Sequence, residues 1–133
     1  MINIGKITHL VFHHSASARM TPLDTIRKWH VKDNHWDDIG YHIIITGNGV
    51  CSEGRPYWAQ GAHARGKNPG TIGVCITGDN TKADRAWNAA QIVAGHAVVN
   101  AWRTLVPSIR VVGHRDLVDG TECPGVDIGR LFG

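Results

Sequence analysis

His114 stands in Gly113-His114-Arg115-Asp116, directly after a branched apolar run, and Cys123 follows in Cys123-Pro124-Gly125. The intervening loop is long enough to double back and bring an imidazole and a thiol to one ion. Both are good zinc ligands, and a catalytic zinc site pairs three protein ligands with one position kept for water. The third donor must come from far away in sequence. His13, at the end of Thr8–His14 (THLVFHH), supplies it if that run is a strand beside residues 109–112. Plainer readings compete. His13 and His14 could be strand-end histidines bonded to backbone carbonyls, and the His114–Cys123 pair could be idle. Cys123 could instead be a nucleophile with His114 as its base. The proline directly after the cysteine and the histidine on the other strand favour metal.

Other chemistry-bearing residues read more simply. Cys75 lies inside an apolar strand-like run and is expected to be a packed thiol, and Cys51 beside a hairpin signal is uninformative. His30 and His96 fall on helix faces and are expected to be satisfied boundary histidines. Trp29, Trp87 and Trp102 are expected in or near the core, whereas Trp36 and Trp58, in or beside loops, are candidates for sugar or peptide contact.

These residues must be held by a small set of elements. Thr8–His14 reads as a strand. Thr21-Pro22-Leu23-Asp24 is a helix start with Thr21 as N-cap and Pro22 at the first helical position. Leu23, Ile26 and His30 share its face, with Trp29 on the flank. Tyr41–Thr46 (YHIIIT) is a strand leading through Gly47-Asn48-Gly49 into a short return, Val50–Glu53, a hairpin pattern. Residues 54–70 have no periodicity and read as an ordered loop. Thr71–Thr77 (TIGVCIT) is a central strand. From Asn88 to about Trp102 the spacing is helical, with Ile92, Val93, His96 and Val99 along one broad side. Pro107 ends that region, Ile109–Val112 is a further strand, Gly113–Gly125 a long loop, and Asp127–Phe132 a short helix. The order β-α-β-β-β-α-β-α predicts one α/β domain spanning residues 1–133, a mixed central sheet flanked by helices.

Composition narrows the function classes. Apolar residues make up 42% and charged residues 19% of the 133-residue chain, a globular balance. No run approaches the ~18–20 apolar residues of a bilayer span, so no membrane insertion is expected. Net charge is +3, with nine histidines. That mild basicity suits an anionic envelope, and no Lys/Arg run is dense enough for nucleic acid. Three cysteines without a CxxC make no paired disulfide framework. Met1–Lys6 shows no basic and apolar leader pattern, so cytoplasmic synthesis is expected, with action on a wall requiring later release.

The chain also carries a motif series: His13-His14-Ser15-Ala16, Trp36-Asp37-Asp38-Ile39-Gly40-Tyr41-His42, Ser52-Glu53-Gly54-Arg55 and Gly61-Ala62-His63-Ala64. It continues with Thr71-Ile72-Gly73-Val74-Cys75, Gly113-His114-Arg115-Asp116 and Thr121-Glu122-Cys123-Pro124-Gly125. In this order and over nearly the whole length, it resembles the type-2 N-acetylmuramoyl-L-alanine amidases, the family of lysozyme-named phage amidases and animal peptidoglycan recognition proteins. The resemblance implies their α/β zinc-amidase fold and a Zn2+ ion on His13, His114 and Cys123. It implies peptidoglycan as partner and hydrolysis of the amide between N-acetylmuramic acid and L-alanine. A monomer is expected, and the setting that fits is a phage endolysin, with cytosolic recycling of wall fragments or a non-catalytic peptidoglycan-binding module as alternatives.

Roles carry over residue by residue. Tyr41 matches the family's catalytic tyrosine, whose phenol would donate to the zinc water or the developing oxyanion. Thr121 stands where many relatives have a lysine, as it does in active members of the recognition branch, so a smaller neutral donor replaces a cation. Cys75 stands where some relatives have an acidic base, which shifts weight onto Tyr41 and the metal. His63, Trp36, Arg55 and Asn68, with Glu53, are expected to meet the muramyl sugar or stem peptide, Arg55 through a peptide carboxylate. Asp116 would orient a ligand imidazole or cap a local turn; His42 and Arg115 are expected in structural hydrogen bonds.

Overall fold

The structure, a computed structural model, describes residues 3–133. Its centre is a five-stranded sheet in the order β3-β2-β4-β1-β5. The strands are β1 (His9–His14), β2 (Ile43–Ile45), β3 (Cys51–Glu53), β4 (Thr71–Ile76) and β5 (Arg110–Gly113). β2 and β3 pair antiparallel as the hairpin; β2–β4, β4–β1 and β1–β5 are parallel. The sheet is therefore mixed, as the sequence predicts.

Each parallel crossover covers one face. The chain between β1 and β2 carries α1 (Leu23–Lys28) and a π-helical turn, Trp29–Asp33; that between β4 and β5 carries α2 (Ala89–Leu105). Every residue of β4 is buried, the pattern of a parallel strand covered on both sides. Alternation divides the side chains. Leu10, Phe12, Ile72, Val74 and Ile76 face α2 and meet Val98, Val99, Trp102 and Phe132. Ile44 and Cys75 face the other way, with Ile26 and Ile39. Phe12 stacks on Phe132 with ring centroids 4.6 Å apart; full burial of such a side chain contributes about 1.5–3 kcal/mol.

Several boundaries differ from the sequence reading, each for a local reason. The N-cap of α1 is Pro22 rather than Thr21; the Thr21 hydroxyl donates instead to the Ala18 carbonyl at 2.6 Å. β2 is confined to Ile43–Ile45; just before it the His42 N–H donates to the Gly73 carbonyl of β4 while the His42 carbonyl accepts from the Gly54 N–H. The inward face of α2 is Gln91, Gly95, Val98, Val99 and Trp102, while Val93 and His96 are exposed. Asn88 and Gln91 form a reciprocal capping box, and the Gln91 amide then donates to the Thr77 carbonyl at 2.7 Å, so a polar side chain occupies the buried stripe. Trp87 and Trp102 are buried, but Trp29 is 36% exposed. Finally, the supposed loop after β5 opens with a helical turn, α3 (His114–Leu117), followed later by α4 (Ile128–Leu131).

Candidate metal centre and active site

The site forms where β5 leaves β1. Their pairing ends at Phe12↔Gly113, while β1 continues beside β4 to His14↔Ile76. His13 thus pairs with β4 on one side and has no strand partner on the other, where the departing chain turns at once into α3 with His114 as its first residue. Such a gap at the carboxyl ends of parallel strands is the usual ligand position in open α/β sheets. The segment after α3 doubles back: the Arg115 N–H donates to the Cys123 carbonyl at 2.8 Å. The Cys123–Pro124 peptide is cis.

His13, His114 and Cys123 each offer a donor atom, all within 4.8 Å of one another. The His13 and His114 rings lie 4.5 Å apart, and Cys123 Sγ is 3.8 Å from His13 Nδ1. His14 points to the other face, as alternation requires; its Nδ1 accepts from the Asn80 N–H at 3.2 Å and lies 3.8 Å from Asp79.

Electrostatics prepare the trio for a cation. Burial pushes His13 well below the ordinary imidazole range, with His63 and His114 nearby adding to the effect. Burial also lowers His114. Both therefore present bare nitrogen lone pairs at neutral pH, the form that binds metal. Burial pushes the Cys123 thiol up to about 11, so a thiolate here needs a positive charge beside it. Two neutral imidazoles and one thiol awaiting a cation match a zinc donor set.

A cleft of about 500 Å³ opens beside the trio, lined by His30, Trp36, Tyr41, Ala62, His63, Ala64, Arg65, Asn68, His114 and residues 118–121. The Tyr41 ring is 5.1 Å from that of His13. Its phenol is held well above the usual tyrosine range by burial first and then by the Cys75 and Cys123 thiols; it stays a donor at neutral pH. The Thr121 hydroxyl accepts from the Cys123 N–H at 3.2 Å, leaving its own proton free to donate. The Trp36 ring packs against that of His30, tilted by 47° with centroids 4.6 Å apart, and is 37% exposed.

The other expected contacts fall differently. Arg55 is not in the cleft lining: its guanidinium donates to the carbonyls of Ile39 (2.8 Å), Gln60 (2.8 Å) and Asp38 (3.4 Å). Asn68 borders the cleft, but its Oδ1 accepts from the His63 and Ala64 N–H groups, both at 2.9 Å. His63 borders it too, with both ring nitrogens engaged. Glu53 is exposed on edge strand β3 and Trp58 lies outside the lining. Asp116 caps α3, its Oδ2 accepting from the Gly113 N–H at 2.7 Å. His42 is structural, donating to the Ala59 carbonyl and accepting from the Gly73 N–H. Cys75 is fully buried in the cluster of Ile26, Ile39 and Ile44 against which Tyr41 packs, its thiol pushed well up by burial, so it is no base.

Sequence reasoning missed His30. Its Nδ1 accepts from the Gly40 N–H at 2.8 Å, so its remaining proton sits on Nε2, on a ring that borders the cleft. The signal was present: His30 continues the Leu23–Ile26 face one turn further, beyond the apolar stripe. A larger groove of about 680 Å³ along α2 offers only Asn48 and Cys51 as polar lining and holds no comparable chemistry.

Comparison with known proteins decides the family. A family profile described as N-acetylmuramoyl-L-alanine amidase matches residues 3–126. The chain belongs to the N-acetylmuramoyl-L-alanine amidase family. Among curated proteins it is similar to peptidoglycan-recognition protein SC2 of Drosophila melanogaster, 34% identical over 92% of this chain and 70% of that protein. It is also similar to the endolysin of Enterobacteria phage T3, 31% identical over 94% and 85% of the two chains. Among solved structures, the endolysin of Thermus scotoductus bacteriophage Ph2119 superposes with a TM-score of 0.85, at 27% identity over 94% of this chain and 82% of that one. The endolysin N-acetylmuramoyl-L-alanine amidase LysCS of Clostridium intestinale gives 0.81 at 29% identity, over 93% and 78%. These amidase-family neighbours share the mixed α/β fold described above.

Proposed function

We propose that the chain is a zinc-dependent N-acetylmuramoyl-L-alanine amidase cutting the bond between the lactyl group of N-acetylmuramic acid and the L-alanine of the stem peptide. The observation that carries this is the convergence of His13, His114 and Cys123 beside an open cleft that His114 lines. Bound zinc would polarise the scissile carbonyl and supply hydroxide near neutral pH. The chain's own groups do the rest. Tyr41, a protonated donor beside His13, hydrogen-bonds the oxyanion as charge develops there. Thr121, at the rim on the Cys123 side, donates to the same oxygen or to the leaving nitrogen. The Trp36 face and the His30 Nε2–H, adjoining in the cleft wall, form a platform and a donor for sugar or peptide.

Peptidoglycan as substrate is supported by the recognition proteins and endolysins among the relatives. The endolysins among the relatives also favour a wall-lysing role. Digestion of purified peptidoglycan followed by mass spectrometry of the fragments tests the bond assignment. The expected products carry free lactyl carboxyls and free alanine amines; new reducing sugar ends or cleaved peptide crosslinks would overturn it.

A further inference from the structure

The long loop before β4 carries a histidine with no nitrogen to spare. His63 Nδ1 lies 2.8 Å from His13 Nε2, and its Nε2 lies 3.1 Å from the Thr71 hydroxyl. Donor and acceptor roles follow from the far end of this chain of contacts. The Thr71 oxygen is 3.0 Å from the carbonyl oxygens of both Lys67 and Asn68. Carbonyls only accept, so Thr71 donates its proton there and receives a hydrogen from His63. His63 then carries its proton on Nε2 and offers Nδ1 as an acceptor. His13 must therefore donate from Nε2, which leaves Nδ1 as the bare lone pair, facing Cys123 Sγ at 3.8 Å. Two backbone carbonyls thus decide, through Thr71 and His63, which nitrogen of His13 is open to a metal.

The seat of His63 is shaped for this ring. A Cβ on Gly73 would come within 2.6 Å of its Cγ, and one on Gly61 within 2.7 Å of its Cδ2. Asn68 secures the backbone on either side of it through the N–H groups of His63 and Ala64. The ring meets His13 edge-on, at 85° and 5.0 Å between centroids, the approach that lets one imidazole N–H point at the other's lone pair.

We propose that His63 is a positioning residue for the metal centre, locking His13 in the Nε2–H tautomer with Nδ1 turned toward the ion, and that Thr71 locks His63 in turn. This rests on the metal reading above and deepens it: a residue expected to touch substrate acts through a ligand instead. Outer partners of ligand histidines fix tautomer and ring orientation, and losing one weakens metal binding by roughly 10- to 100-fold.

Two measurements on the full chain test the assignment. In metal-free wild-type protein, long-range ¹H–¹⁵N spectra of the imidazoles should show His13 and His63 both as Nε2–H tautomers. In competition with a chromophoric chelator, His63→Leu should bind zinc roughly 10- to 100-fold more weakly. His63→Asn, whose Oδ1 sits near the place of Nδ1, should recover most of that loss, and Thr71→Val should fall between wild type and His63→Leu. Wild-type affinity in His63→Leu, no rescue by asparagine, or His13 as the Nδ1–H tautomer would each overturn the proposal. If wild type takes up no zinc, the metal reading fails by itself, and the His13 tautomer alone decides the relay. Should His63→Leu fail to fold by circular dichroism, the wild-type spectra and Thr71→Val decide in the same sense.

Discussion

At the scale of single residues, burial sets what each group near the cleft can do. Cys123 is a poor thiolate without a cation beside it, and His13 is a neutral imidazole. Replacing either by alanine removes a donor from the trio, so His13→Ala and Cys123→Ala should lose bound zinc and hydrolysis together, read by metal analysis and turbidity loss on wall substrate. Tyr41→Phe should separate the two. It deletes one hydrogen-bond donor and leaves the ring packed beside His13, so zinc should remain while kcat drops by about 100- to 1,000-fold; an unchanged rate would refute the oxyanion role. The convergence of His13, His114 and Cys123 was legible in the sequence because residue type and strand neighbours are enough to nominate them. Arg55 and Asn68 were not, since their partners are backbone carbonyls and N–H groups, which leave no mark in a sequence. His63 was assigned to substrate for the same reason: only the geometry shows that both its nitrogens are taken.

At the scale of elements, the strands were legible because their branched, apolar runs are covered by crossovers on both faces. Helix boundaries and faces were harder. α3 is a four-residue turn held by Asp116, too short to carry any periodicity. The inward stripe of α2 includes Gln91 and Gly95, one buried to complete its cap and the other small to admit Phe132; neither reads as core. Two substitutions test this level. Asn88→Ala removes the capping box remote from the cleft and should cost about 1 kcal/mol, seen as a Tm lower by roughly 3–5 °C with kcat unchanged. Gly73→Ala puts a methyl group against the His63 ring. It should cost about 1–3 kcal/mol through overpacking and weaken zinc binding as well. A stability loss with full zinc affinity would show that the ring has room to shift harmlessly.

At the scale of the whole molecule, several buried histidines make folding sensitive to acid. His42 is lowered by burial, against an opposing hydrogen bond to the Ala59 carbonyl, and His30 is lowered by burial with Arg55 adding to it. In the unfolded chain both titrate near pH 6.5. Below that pH the unfolded state binds more protons, so stability is complete above about pH 6.5 and falls as the solution is acidified. Urea unfolding should give a lower midpoint at pH 5.5 than at pH 7.5, and equal midpoints would contradict the burial of these rings. The proposed zinc ion would be held by His13 of β1, His114 of α3 and Cys123 of the returning loop. The most direct measurement is peptidoglycan hydrolysis by protein stripped with a strong chelator, then supplied with one equivalent of zinc. The account predicts no cleavage when stripped and full recovery with zinc; cleavage that persists without metal would contradict it and point to Cys123 as a nucleophile.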